Sequence, residues 1–100
     1  MGRPYDTISL LTDLGRLDGR VAIVTGAALG IGRAISRRLS ESGATVVAAD
    51  INEKALAETV ASIAGQTGGT VEAAFVDVRD TASVDALVDG AAARHGRLDI

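Results

Sequence analysis

The chain contains no cysteine, a single proline and only two aromatic residues, Tyr5 and Phe75. Without cysteine it forms neither a disulfide framework nor a thiolate metal site, and we predict no metal site of any kind. No apolar run approaches the roughly 18 residues of a membrane helix, and Ile8–Leu11 is too short for a signal-peptide core. The net charge of −3 gives no support to nucleic-acid binding, which requires a basic surface. We therefore expect a cytoplasmic protein that binds neither membranes nor nucleic acid.

Hydrophobic residues make up 47% of the chain and charged residues 23%, which is the balance of a globular protein. One hundred residues suit one small domain or part of a larger one. Residues 1–18 show no clear period, and we predict an N-terminal extension there, with a short helical turn around Ser9–Leu14.

From Arg20 onward, strand and helix patterns alternate. Short β-branched runs predict strands at Val21–Thr25, Thr45–Ala49 and Val71–Val76. Helical periodicity predicts helices at Gly30–Ser42, from Asn52 to about Ala64, and from Asp80 or Thr81 to His95. Gly43 and Gly65 are predicted to end the first two helices. Leu98–Ile100 is predicted to begin a fourth strand.

Apolar residues at helical spacing predict which side of each helix is buried. The predicted buried faces are Ile31, Ala34, Ile35 and Leu39 in the first helix, Leu56, Val60 and Ile63 in the second, and Val84, Leu87, Val88 and Ala91 in the third. Strands that alternate with helices form parallel sheets through right-handed crossovers. The sequence therefore predicts an α/β fold, a Rossmann-type doubly wound sheet with strand order 3-2-1 and helices on both faces.

A glycine-containing loop joins the first strand to the first helix. Gly26 allows a sharp turn, Gly30 allows a pyrophosphate to approach the backbone, and Gly32 allows the helix to pack tightly on the strand. The helix N-terminus offers unpaired N–H groups to a phosphate at the same place. The predicted contacts are Gly26, Ala28, Leu29, Gly30, Ile31 and Gly32. Taken alone, the same string is also compatible with an ordinary flexible turn.

Asp50 lies at the end of the second strand, 18 positions after Gly32. That separation is close to the ~20 positions expected for the acid that binds the adenosine ribose. A carboxylate accepts hydrogen bonds from a free 2′-hydroxyl and repels a 2′-phosphate, and its neighbours Leu29 and Ile51 are neutral. We therefore predict NAD rather than NADP, with Asp50 and Ile51 at the ribose. The alternative is that Asp50 only ends a strand or caps a helix.

With these residues in view, the chain resembles the classical short-chain dehydrogenase/reductase family. The resemblance covers residues 17–100 and includes the pattern Thr25-Gly26-xxx-Gly30-x-Gly32. It implies that the Asp77 carboxylate accepts a hydrogen bond from the adenine amine and that the Val78 backbone holds the ring. It also implies that residues 19–100 are the N-terminal part of an NAD(P)-binding Rossmann domain.

In that family a catalytic Ser and a Tyr-x-x-x-Lys pair follow the fourth strand. Here Tyr5 precedes the first strand and Ser9 occupies the position where Lys would follow, while the only lysine is Lys54. We therefore assign no catalytic residue and expect a cofactor-binding fragment that is inactive alone. His95 is predicted to be an exposed cation at the end of the third helix, not a general base.

The function expected from these observations is an NAD(H)-dependent oxidoreductase that transfers hydride between nicotinamide and a small alcohol or carbonyl substrate. The resemblance implies a dimer or tetramer of the complete protein. Two alternatives stay open: a non-catalytic dinucleotide-binding module, and a methyltransferase, which the three-residue gap between Gly26 and Gly30 disfavours.

Overall fold

The computed structural model describes residues 16–100. Its elements are β1 (Val21–Thr25), α1 (Gly30–Glu41), β2 (Thr45–Asp50), α2 (Glu53–Thr67), β3 (Val71–Phe75) and α3 (Thr81–His95). The predicted alternation of strands and helices is confirmed. The helical turn predicted at Ser9–Leu14 falls outside the described residues.

The strands form a parallel sheet in the order β1-β2-β3, which confirms the predicted order 3-2-1. After α3 the chain crosses to the other edge of β1. There the Ile23 N–H donates to the Ile100 carbonyl at 3.0 Å, and the Ile100 N–H donates to the Val21 carbonyl at 3.2 Å. Parallel strands pair by such bonds. Residues 98–100, predicted to begin a fourth strand, therefore lie beside β1 as the doubly wound topology requires, although they do not form a regular strand.

Side chains of β2 alternate between two buried clusters. Val46 and Ala48 pack in a cluster with Leu56 of α2. Val47 and Ala49 pack on the other face with Leu87 and Ala91 of α3. Because successive strand residues point to opposite faces, an almost entirely apolar strand is the one that helices cover on both sides. The prediction of helices on both faces of the sheet is confirmed.

The predicted buried face of α1 is wrong except at Leu39, which is partly buried against the cluster of Val46, Ala48 and Leu56. Ile31 and Ile35 are 80% and 46% exposed, whereas Ser36 and Ser40 are buried. With Gly32 these serines form a stripe of small residues at a spacing of four, so the helix can lie close to its neighbours. Their hydroxyls are satisfied: Ser36 Oγ donates to the Gly32 carbonyl at 2.8 Å, and Ser40 Oγ bonds to Thr67 Oγ1 of α2 at 2.7 Å. The buried face of α1 is therefore the one whose small residues allow close packing and whose hydroxyls are hydrogen-bonded, and not the one that apolar periodicity predicts.

The predicted end of α2 is also wrong. The helix runs through the exposed Gly65 to Thr67 and stops at Gly68, which has a φ of 69°. The Gly68 N–H donates to the Ala64 carbonyl at 2.9 Å, as in a left-handed helix cap. A glycine in a helix interior costs only about 1 kcal/mol relative to alanine, which packing of the helix readily offsets.

Smaller differences affect the ends of other elements. β2 includes Asp50, β3 ends at Phe75 rather than Val76, and α1 ends at Glu41. Gly43, with a φ of 97°, follows α1 as predicted. Val88 of α3 was predicted to be buried, but it is exposed. The buried residues of that helix are Leu87 and Ala91.

His95 is less exposed than the sequence suggested. Its side chain is only 19% exposed, and Nε2 lies 3.1 Å from Glu72 Oε1. The same oxygen accepts a 2.6 Å hydrogen bond from Arg94 Nη2. Burial opposes ionisation of Glu72, but the hydrogen bonds from Arg94 and the close approach of His95 outweigh burial and lower the pKa of this carboxyl group. The cluster joins the end of α3 to β3.

Candidate functional site

The carboxyl ends of the strands open onto a pocket of about 300 Å³. Its lining comprises Gly26, Asp50, Ile51, Val76, Asp77, Val78 and Arg79. Five of the predicted site residues therefore surround one cavity: Gly26, Asp50, Ile51, Asp77 and Val78. The other five, Ala28 to Gly32, form the adjoining loop and the first turn of α1. In open α/β sheets, ligands bind at this edge.

The glycines of the loop differ in their surroundings. Gly26 and Gly30 have φ values of 67° and 61°, a region that L side chains rarely adopt. A Cβ at Gly30 would meet no atom within 4 Å, so its backbone borders open space. A Cβ at Gly32 would lie 2.7 Å from the carbonyl carbon of Gly26. Gly32 is therefore needed for α1 to pack against the end of β1.

The N-terminus of α1 carries no cap of its own. Leu29 precedes the helix without a side-chain hydrogen bond, and the first turn contains no acidic residue. Leu29 and Ile31 are exposed, while Ala28 is buried beneath them. Uncapped N–H groups at a helix start, with the positive end of the helix dipole, suit a phosphate anion.

Asp50 accepts two backbone hydrogen bonds. The Asn52 N–H donates to Oδ1 at 2.9 Å, and the Ala28 N–H donates to Oδ2 at 3.0 Å. These bonds, the one from Asn52 above all, lower the pKa of Asp50, so the group is a carboxylate at neutral pH. A carboxylate has about four acceptor sites, which leaves one on each oxygen for the hydroxyls of a ribose. Within residues 16–100, no lysine or arginine pairs with Asp50.

Thr59 of α2 was not anticipated as a contributor to this loop. Its Oγ1 donates to the carbonyl oxygen of Ala28 at 2.7 Å, and the residue is only 1% exposed. Ala28 is thus held at its N–H by Asp50 and at its C=O by Thr59. The sequence did contain a signal for this hydrogen bond, namely a threonine between the core residues Leu56 and Ile63. A buried hydroxyl needs a hydrogen-bond partner.

Asp77 is fixed by its neighbours at the other end of the pocket. The backbone N–H of Arg79 and its Nε both donate to Oδ1 at 3.0 Å, and Nη2 donates to Oδ2 at 3.0 Å. The guanidinium is the main reason that the pKa of Asp77 is lowered. The Asp77 N–H donates to Ser83 Oγ at 3.0 Å. Arg79 and Val76 are the two pocket residues that sequence reasoning missed.

These features fit a nicotinamide dinucleotide. Ile51, Val76 and Val78 provide apolar walls for a flat base, Asp50 provides an acceptor for a sugar diol, and the start of α1 suits a diphosphate. Over residues 16–100, no group of three or more histidine, aspartate or glutamate side chains is placed to hold a metal ion. No helix in that range is long and apolar enough to cross a membrane.

The family model for short chain dehydrogenases matches residues 20–100. The chain therefore belongs to the short-chain dehydrogenase family, and its fold is the first part of that family's Rossmann-type domain.

Particular relatives are similar over most of the chain. A reductase of Mycobacterium tuberculosis, (5R,7aS)-5-hydroxy-7a-methyl-1-oxo-2,3,5,6,7,7a-hexahydro-1H-indene-carboxyl-CoA reductase, is 49% identical over 86% of this chain and 33% of its own length. The crystal structure of a hydroxysteroid dehydrogenase from Escherichia coli superposes with a TM-score of 0.82 at 40% identity, covering 88% of this chain and 36% of that one. A short-chain dehydrogenase/reductase from Burkholderia phymatum, in complex with NAD, gives 0.76 at 40% identity, covering 81% and 28%.

The chain thus spans about a third of the length of the curated relatives that it matches.

Proposed function

We propose that this chain forms the cofactor-binding part of an NAD(H)-dependent oxidoreductase that transfers hydride between nicotinamide and an alcohol or carbonyl carbon. The observation that carries the proposal is the position of Asp50, a carboxylate without a cationic partner in residues 16–100, between an uncapped helix start and an apolar pocket. The family match, and a relative whose structure contains NAD, support the same reading.

Each part of the cofactor has a proposed set of contacts. Backbone N–H groups from Leu29 to Gly32 bind the diphosphate, because they lie at the uncapped start of α1. Asp50 accepts hydrogen bonds from the ribose hydroxyls. Asp77 accepts one from the adenine amine, and Val78 and Ile51 flank the ring. The nicotinamide, when bound, supplies the carbon that gives or receives hydride.

NAD is the proposed cofactor over NADP. A 2′-phosphate would lie close to the ionised Asp50, and the two negative charges would repel each other. Ile51, the next residue, is neutral and half exposed at the pocket. The substrate is a small molecule by the same proposal, and the complete protein is a cytoplasmic dimer or tetramer.

Isothermal titration of the full-length protein with NAD, NADP and S-adenosylmethionine tests this proposal. We expect NAD to bind about tenfold or more tightly than NADP and S-adenosylmethionine not to bind, since loss of one hydrogen bond to a charged group costs about 1.5–3 kcal/mol. The same titration of the Asp50→Asn variant should show weaker NAD binding, because the charged acceptor is lost. Asp89→Asn, a change at an exposed position of α3, is the matched control and should leave NAD binding unchanged. Absence of NAD binding, or tighter binding of S-adenosylmethionine, would contradict the proposal.

A further inference from the structure

Arg79 occupies an unusual position for an arginine in a pocket that is otherwise apolar and acidic. It lines the cavity together with Ile51, Val76 and Val78, and its side chain is 79% exposed. The guanidinium therefore borders the cavity and is accessible to a ligand that binds there. The proposed function gives this residue no role.

The orientation of the Arg79 side chain is fixed by Asp77. Nε and Nη2 donate to different oxygens of the carboxylate, each at 3.0 Å. Such a bidentate pair holds the guanidinium and the carboxylate close to a common plane. Asp77 is itself anchored, because its N–H donates to Ser83 Oγ and its carbonyl accepts the Asp80 N–H at 2.9 Å. The guanidinium is thus a held, flat cation at the pocket.

Ligand binding at Asp77 does not require release of Arg79. Oδ1 accepts two donors and Oδ2 accepts one, all three from Arg79. An ionised carboxylate has about four acceptor sites, so Oδ2 retains one for a further N–H donor. A base that donates its amine to Asp77 would therefore meet the guanidinium still in place beside it.

From this geometry we propose that Arg79 contacts the cofactor directly, with its guanidinium beside the adenine base whose amine is bound by Asp77. The inference rests on the proposed function, since it names a further residue of the same site. A guanidinium beside an aromatic base is attracted by the ring electrons and presents N–H donors, and arginine is suited to both contacts because it is planar.

The test is titration of the full chain and its Arg79→Ala variant with NAD, NADP and nicotinamide hypoxanthine dinucleotide. The hypoxanthine cofactor has a carbonyl where adenine has its amine, so it cannot donate that hydrogen bond to Asp77. We expect Arg79→Ala to weaken binding of all three by the same factor, about three- to fivefold, because a ring contact is common to them. Arg79 is exposed, so the variant should fold, which its unchanged melting temperature would verify.

Arg97→Ala is the matched control. Arg97 forms the same kind of bidentate pair, with Nε 2.8 Å from Asp99 Oδ2 and Nη2 2.7 Å from Oδ1. That pair lies at the opposite end of the sheet, because Asp99 accepts the N–H of Val21 at the start of β1. We expect no change in the affinity for any of the three cofactors.

Three results would overturn the inference. Unchanged NAD affinity in Arg79→Ala would mean that the ring is not contacted. A loss for NAD without a loss for the hypoxanthine cofactor would mean that Arg79 only positions Asp77. A much larger loss for NADP would mean that it contacts a 2′-phosphate instead. A wild-type protein that binds none of the three would overturn the proposed function and this inference together, whereas the other outcomes leave the proposed function intact.

Discussion

The carboxylate of Asp50 and the backbone N–H of Ala28 are joined by a hydrogen bond of 3.0 Å. This bond ties the end of β2 to the loop between β1 and α1, across 22 positions of sequence. The residue proposed to bind the ribose therefore also braces the loop proposed to bind the diphosphate. A substitution at Asp50 has to be interpreted with both roles in mind.

Asp50→Asn and Asp50→Ala should separate these two roles. The asparagine keeps a side-chain oxygen that can accept the Ala28 N–H, whereas the alanine leaves it without its acceptor. We expect Asp50→Asn to weaken NAD binding about tenfold and to narrow the preference over NADP, because the charge is lost. Asp50→Ala should weaken both cofactors. The affinities are measured by calorimetric titration of the full-length protein, and an unchanged NAD affinity in either variant would remove Asp50 from the site.

Thr59→Val should destabilise the protein although it changes no predicted ligand contact. The valine leaves the buried carbonyl of Ala28 without its 2.7 Å hydrogen bond. An unpaired buried polar group costs about 1–3 kcal/mol, so we expect the free energy of unfolding in urea to fall by that amount. Thr70→Val, at an exposed position, is the control and should change it by less than about 0.5 kcal/mol. Equal effects of the two variants would contradict the structure.

Gly32→Ala and Gly65→Ala add the same methyl group to two helices in different surroundings. At Gly32 it would collide with the backbone of Gly26, so we expect a loss of about 1–3 kcal/mol in unfolding free energy and weaker NAD binding. At Gly65 it would meet nothing within 4 Å, and the gain in helix propensity should stabilise the protein by about 0.5–1 kcal/mol. Chemical denaturation of both variants measures these changes. A neutral Gly32→Ala would show that α1 does not pack this closely.

Asp99→Asn should destabilise the protein in a pH-dependent way. Hydrogen bonds from Arg97, and then from the Val21 N–H, hold the pKa of Asp99 well below its ordinary value. Folding therefore favours the charged form, so its stabilisation is fully present above the unfolded pKa of about 4 and is lost as the pH falls through the lower folded pKa. We expect the variant to be less stable than wild type at about pH 7, with a difference that shrinks steadily below about pH 4. Urea unfolding over this range measures it, and a constant difference would contradict the assignment.

Most features that depend on local sequence were predicted correctly, although the end of α2 was not. The order of strands and helices follows from short β-branched runs and helical periods, and the parallel order from the handedness of crossovers. Asp50 was found from its position at the end of the second strand, and Asp77 was found from the family resemblance. What they bind is a proposal, but their convergence is observed.

Features that depend on distant neighbours were not predicted. The exposed Ile31 and Ile35 look like a core face until the close packing of Gly32, Ser36 and Ser40 is seen. Periodicity reports which residues share a side of a helix, but it does not report how closely that side approaches its neighbours.

The sequence by itself determined the alternating fold, the glycine loop and the acids at the strand ends, because each depends on spacing along a single element or turn. Only the tertiary structure decided that Thr59 and Asp50 hold the same peptide, that His95 is covered beside Glu72, and that Arg79 lines the pocket. The contacts of Thr59, Asp50 and His95 join residues from different elements. Their existence depends on distances that folding sets and that no local pattern records.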